Sequence, residues 1–374
     1  MKKVLIVGAG FSGAVIANTL ANTGNYLIDV VDERNHIGGN CHTERDPLTN
    51  VMVHKYGPHI FHTSNEKVWK YINLFGVFKP FINRVKSIYK GQVYSMPINL
   101  HTINQFYGKS FGPSEAKRWI ESQGDSTIND PKTFEEQAKK FVGEKLYKAF
   151  FYGYTKKQWG TEPQNLPASI LKRLPVRFNY DDNYYNDTYQ GIPKDGYTAI
   201  IQKMLDHPNV KISLGYRFLG EKEDVGEYHH VFYTGPIDAY FSFRYGRLGY
   251  RTVYFKEYRA DGDYQGNAVI NFADEEIPYT RVHEHKHFTP WENHSETIYF
   301  EEYSKETESS DIPYYPKRLE IDMNILKLYE SEVTNLNKVT FLGRLATYRY
   351  LDMHHIIEEA LDSAEKFLEL DSHK

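Results

Sequence analysis

The amino-terminal segment constrains this chain most. Val4-Leu5-Ile6-Val7 is a short, continuous apolar run, as a buried parallel strand requires. Gly8-Ala9-Gly10-Phe11-Ser12-Gly13 follows at once, and residues 14–20 read as a helix. A second apolar run, 27–31, ends at Asp32. Glycines at positions 8, 10 and 13 allow a tight turn, close approach of backbone to a pyrophosphate, and close helix–strand packing. The helix amino terminus offers N–H groups and partial positive charge to the phosphates. Asp32 stands at the spacing expected of an acid that binds a ribose hydroxyl. The pattern predicts a dinucleotide-binding fold; a glycine-rich turn without a ligand is the plain alternative. The same glycines interrupt the apolar run after Met1-Lys2-Lys3, which argues against an export signal.

A chain of 374 residues exceeds the usual size of one core, so two or three lobes are expected. The single cysteine, Cys41, excludes an internal disulfide framework and any Cys-based zinc site, and fits a reducing compartment. It reads as a packed small residue rather than a covalent attachment point for a cofactor. A net charge of −4 gives no reason to expect nucleic acid. No run of about 18 apolar residues is present to cross a membrane. Aromatic residues reach 15%, with 31 tyrosines, which suits either a polar ring-shaped ligand or aromatic core packing.

A second glycine pair, in residues 34–40 (RNHIGGN), resembles the FAD signature of flavin oxidases and their relatives more than that of simple NAD dehydrogenases. Near the carboxyl end an apolar strand, 339–342, leads to Gly343-Arg344, and Asp352 precedes a helix with Ile356, Ile357, Ala360 and Leu361 on one face. Residues 99–150 read as helical, with capping residues at Ser114 and Thr133. Residues 210–300 read mostly as strands. The acidic stretch 301–311 reads as a solvated loop. His283, His285 and His287 alternate and would share one face of a strand; a hydrogen-bonded polar strand is expected there rather than a metal site. His54, His59 and His62 flank a Gly-Pro turn and suit either a cofactor pocket or a surface loop. The expected fold is mixed α/β: a Rossmann-like FAD-binding domain (1–82, 195–240 and 318–374), a helical insertion (98–170), and an antiparallel β-sheet domain for substrate (83–97, 171–194 and 241–317).

Further segments complete a resemblance. They are 54–63 (HKYGPHIFHT), 153–160 (GYTKKQWG), 172–178 (KRLPVRF), 189–193 (YQGIP), 233–238 (YTGPID), 266–272 (GNAVINF), 278–288 (PYTRVHEHKHF), 313–316 (PYYP) and 352–354 (DMH). Together with 34–40 they run along nearly the whole chain, which resembles the bacterial UDP-galactopyranose mutases. The resemblance implies a cytoplasmic, homodimeric flavoenzyme, without a membrane span, that interconverts UDP-galactopyranose and UDP-galactofuranose for cell-surface polysaccharide. It implies FAD, active when reduced, whose N5 forms a covalent adduct with the sugar's anomeric carbon, and a reductant such as NAD(P)H. Carried over by motif, Gly8, Gly10, Ser12, Gly13, Asp32, Asn40, His59, Ile60, Arg344, Asp352, Met353 and His354 bind the cofactor. Arg173 and Arg281 clamp the diphosphate, with His62 as a third catalytic residue. Phe150, Phe151 and Tyr154 stack on uracil, with Asn271 nearby; Thr155 and Trp159 line the channel; Tyr184, Tyr314 and Tyr350 contact the diphosphate; Asn83 lies near sugar and flavin. Residues 166–182 resemble the family's mobile lid. Leu351 and Pro58 depart from the family pattern, at a common tyrosine and a small residue respectively. Two other readings share the fold: a flavin oxidase or desaturase, and a non-catalytic binding protein of the kind seen in prenyl-GTPase dissociation inhibitors.

Overall fold

The computed structural model describes residues 1–171 and 176–372, so Arg173 lies outside the described residues. Five parallel strands form one sheet in the order Val210–Leu214, Tyr26–Asp32, Lys2–Val7, His230–Tyr233 and Val339–Phe341. Alternation along the first strand sends Val4 and Ile6 into one core and Leu5 and Val7 into another. A strand covered on both faces must be apolar throughout, which is why its sequence is an unbroken run. Helices Phe11–Ala21 and Met353–Ser372 cover the first face. Helix Glu320–Val333 covers the second through Leu326 and Tyr329. Each fully buried aliphatic side chain here contributes about 1.5–3 kcal/mol relative to exposure.

A seven-stranded sheet stands over the cleft beside this unit. Its order is Tyr315–Pro316, Tyr250–Asp261, Glu296–Glu306, Arg281–Glu284, Val269–Phe272, Val85–Tyr89 and Gln92–Met96. The expectation of an antiparallel sheet needs one correction, because Val269–Phe272 pairs parallel with Val85–Tyr89. Those two strands lie far apart in sequence, and a long connection is what lets parallel neighbours meet.

The expected loop at 301–311 is also corrected. Strand Glu296–Glu306 occupies its first half and pairs with Tyr250–Asp261 along its length. Its acids satisfied the composition of a loop, but Glu302 is only 3% exposed and ion-paired. The histidine alternation ends early as well. Strand Arg281–Glu284 gives way to a 3-10 turn, His285–Phe288, so His287 leaves the strand face. In the helical segment, Thr133 and Glu136 cap helix Phe134–Leu146 reciprocally, as their spacing implies. Ser114 is not a cap: helix Pro113–Gln123 starts from Gly112, whose N–H donates to Glu115 at 2.8 Å. Proline suits the first helical position because that N–H needs no partner.

Candidate functional site

A cleft of about 2100 Å³ runs between the two sheets and the helical segment. Gly8, Gly10, Ser12, Asp32, Arg34, Asn40, His59 and Ile60 line one end. Gly13 lies behind the loop; a Cβ there would come 2.0 Å from the Gly8 carbonyl oxygen, so its task is helix–strand packing. The two glycine motifs abut, with an added Cβ on Gly39 only 3.3 Å from Gly10 Cα. Asp32 accepts N–H bonds from Ala9 and Arg34 at 2.8 and 2.9 Å, which braces the loop and leaves lone pairs free. Arg34 donates to Asn40 at 2.7 Å and lies over Tyr56, but its buried Nη1 has no partner. Bare backbone, an acid and an unpartnered guanidinium nitrogen fit a bound dinucleotide. Cys41 also lines this end, and burial pushes its thiol up to about 12, so it is inert at neutral pH.

The middle of the cleft holds His62, Arg344, Asp352 and Met353. Asp352 directly precedes helix Met353–Ser372, and its carbonyl accepts Ile356 N–H at 3.1 Å. His59 is driven down to about 4, first by burial and then by the Arg344 charge. Its Nδ1 pairs with the Gly57 carbonyl at 2.8 Å. His62 Nδ1 contacts Asp187 at 2.6 Å, and its ring stacks on Tyr185 with centroids 3.7 Å apart. Burial works against the Asp187 charge, yet hydrogen bonds from His62 and Ser64 hold it below the usual carboxylate range. His354 does not line the cleft; it packs edge-on against His62 at 4.9 Å.

At the far end the local backbone presents the aromatics. Helix Phe134–Leu146 opens into a π-helical stretch, Tyr147–Tyr152, and resumes as Gly153–Trp159. Such bulges recur at functional sites because the extra residue re-aims side chains. Phe150, Phe151, Tyr154, Thr155 and Trp159 all face the cleft. Opposite them, Ser87, Asn271, Arg281 and Glu302 form a row on four adjacent strands, each directly across from the next. Arg281 Nη2 donates to the Tyr154 hydroxyl at 2.7 Å. Its Nε lies 3.1 Å from Glu302, although the N–H is not aimed at the oxygen. Burial opposes the guanidinium charge, but Glu302 together with Tyr154, Tyr315 and Tyr184 outweighs it, so Arg281 stays charged. Asn83 and Asn271 each keep a buried Oδ1 without a partner.

Tyr184 and Tyr350 line this region, the latter beneath Arg344. Tyr314 does not line the cleft: it is 5% exposed with its ring toward Tyr56, and its neighbour Tyr315 faces the cleft and stacks on Tyr350. Adjacent residues on an extended segment point opposite ways, so the sequence Tyr-Tyr does not tell which ring faces the cleft. Glu302, Asp187, Tyr185 and Tyr315 were not singled out from the sequence. A Glu on the strand next to Arg281 carries no local sequence signal; only the strand register reveals it.

Residues 149–350 match the family described as UDP-galactopyranose mutase, and residues 6–75 match an NAD(P)-binding Rossmann-like domain. A probable UDP-galactopyranose mutase of Klebsiella pneumoniae is 56% identical over 98% of this chain and 95% of its own. The chain belongs to the UDP-galactopyranose mutase family. Within relatives of this kind, a dTDP-fucopyranose mutase of Escherichia coli is 53% identical over 98% of this chain and 99% of its own. Among solved structures, reduced UDP-galactopyranose mutase has the same fold, with a TM-score of 0.78 at 15% identity over 99% of this chain and 96% of that one. UDP-galactopyranose mutase membership accounts for a dinucleotide cofactor loop and an arginine–aromatic wall within one cleft.

Proposed function

We propose that this protein interconverts UDP-galactopyranose and UDP-galactofuranose, using tightly but non-covalently bound FAD in its reduced form. The observation that carries the reading is Arg281, a partly buried cation braced by Tyr154 and Glu302 in the same cleft as the paired glycine loops. Reduced FAD, when bound, supplies the nucleophilic ring nitrogen that no side chain here provides. The chain's own residues do the rest. Arg281 meets the diphosphate, whose charge grows as the sugar–phosphate bond breaks, and its planar fork suits two phosphate oxygens. Arg173 is assigned the other half of that clamp from its motif alone. Phe150, Phe151 and Tyr154 offer apolar faces to the uracil ring, and the free Oδ1 of Asn271 accepts from its N–H. Tyr184, Tyr315 and Tyr350 close around the phosphates. The amino terminus of helix Met353–Ser372 favours negative charge on the cofactor beside it. His62, held through Nδ1 by Asp187, presents Nε2 for proton exchange with the sugar. The three-part division of the chain, a homodimer, a cytoplasmic setting and an NAD(P)H-type reductant go with this reading.

A second reading takes dTDP-fucopyranose as substrate, and the Escherichia coli relative favours it. One experiment separates the readings. Acid precipitation should release FAD from the purified protein. Dithionite-reduced enzyme without oxygen should then convert many equivalents of UDP-galactopyranose and far less dTDP-fucopyranose, and oxidised enzyme should be nearly inactive. Preference for dTDP-fucopyranose would exchange the substrates. One product per reducing equivalent would replace the mutase with an oxidase.

A further inference from the structure

Lys157 sits in the segment GYTKKQWG, but on the side of helix Gly153–Trp159 turned away from the cleft. Its ammonium donates to four backbone carbonyls: Phe272 at 2.7 Å, Asp274 at 2.8 Å, Ile277 at 2.9 Å and Tyr279 at 3.0 Å. An ammonium carries three protons, so one is shared between two acceptors. Phe272 ends strand Val269–Phe272, and the other three carbonyls belong to the turn that connects it to strand Arg281–Glu284. That turn is flanked by Asn271 before it and Arg281 after it. The helix carries Tyr154, Thr155 and Trp159 on its other side.

Two further contacts press the same surfaces together. A Cβ on Gly153 would lie 2.2 Å from the Ala273 carbonyl oxygen, so only glycine allows this approach. Lys156 pairs with Glu275 at 2.9 Å. A buried lysine is costly without partners, and here the partners are backbone dipoles that would otherwise lack donors in a tight turn.

We propose that Lys157 is a positioning residue for the nucleotide end of the cleft, tying the aromatic helix to the turn that carries Asn271 and Arg281. It touches neither substrate nor cofactor. It sets the gap between the rings on one wall and the polar groups on the other, the gap across which Arg281 reaches the Tyr154 hydroxyl. The inference rests on the nucleotide-binding reading given above.

Burial lowers Lys157 to about 8, against the raising effect of the turn's carboxylates Asp274, Glu275 and Glu276. The other titratable groups around it stay out of that range. Lys156 is pushed up by Glu162 and Glu275, burial pushes Tyr154 and Tyr279 up, and Arg281 remains charged. Loss of the Lys157 proton above about pH 8 therefore removes a donor from the cradle.

The test is UDP binding by calorimetry, on FAD-loaded protein, across pH 7 to 9. Lys157→Met should bind UDP about tenfold more weakly or worse. Its FAD content and flavin absorbance should match the unaltered enzyme. The unaltered enzyme should lose affinity above about pH 8, and Lys157→Met should lack that limb. Equal UDP affinity in the variant overturns the proposal. If the variant does not accumulate with FAD, the unaltered enzyme decides: affinity that stays level from pH 7 to 9 overturns it. Failure of the unaltered enzyme to bind UDP at any pH would instead remove the nucleotide-site reading, and this role with it.

Discussion

Arg281→Ala should turn over at about one hundredth of the normal rate while keeping its FAD. Removing one partner from a desolvated charge pair costs about 2–5 kcal/mol, and roughly 3 kcal/mol in the transition state is two orders of magnitude in rate. Arg281 stands among strands of the seven-stranded sheet, not in the glycine loops, so cofactor binding should persist. The substitution has a second effect. Glu302 is nearly fully buried, and without Arg281 its charge is uncompensated. Breaking a buried pair on one side costs about 3–5 kcal/mol of stability. Arg281→Ala combined with Glu302→Gln should recover most of that stability and none of the rate. Steady-state turnover and urea denaturation of the single and double variants make the comparison. A double variant that regains turnover would show that Arg281 serves only to neutralise Glu302.

Acid should destabilise this protein earlier than carboxylate titration alone would. His54, His283 and His285 are each at most 2% exposed, and burial drives all three down, His285 to about 3. Two of them also work as acceptors: His54 Nδ1 receives the His59 N–H at 3.2 Å, and His285 Nδ1 receives the His54 N–H at 3.3 Å. A protonated imidazole has no such lone pair. The third, His283, lies beside the Arg281 charge. Above about pH 6.5 these rings are neutral folded or unfolded, and stability does not depend on them. Below it the unfolded chain takes up protons that the folded chain refuses. Stability then falls by up to about 1.4 kcal/mol per histidine per pH unit. Three such groups remove several kcal/mol by pH 5, a large share of the roughly 5–15 kcal/mol of a typical domain. Urea midpoints at constant FAD should drop between pH 7 and 5 with little change in slope. Midpoints level across that range would mean that the rings are protonated in the fold.

What the sequence made legible follows from how local each signal is. The first strand, its glycine loop, Asp32 and the second glycine pair are contiguous, and their periodicity survives without knowledge of any partner. Most of the aromatic wall was legible too, since Phe150 to Trp159 lie within three helical turns. Glu302 was not, because its burial depends on facing Arg281 across a strand pair. Acidic composition suggested solvent, and the ion pair reversed it. Tyr314 and Tyr315 differ only in which way an extended backbone turns them. The histidine run lost its alternation where Glu284 accepts N–H bonds from Tyr264, Gln265 and Gly266, anchoring a neighbouring loop as the strand ends. Each of these was settled by contacts between segments far apart in the chain.

The order of strands in the parallel sheet also sets when the cleft beside it can first close. Lys2–Val7 leaves the ribosome early with Tyr26–Asp32 beside it, but its other neighbour is His230–Tyr233, and the edge beyond is Val339–Phe341. At about 5–20 residues per second, tens of seconds separate the glycine loop from the strand that flanks it. Helix Met353–Ser372, which seals one face of the sheet, is made later still. During that interval Val4, Ile6 and the apolar face of helix Phe11–Ala21 have no lasting cover. The apolar surface therefore stays open for much of synthesis, and the cleft beside the sheet is not complete until helix Met353–Ser372 has been made.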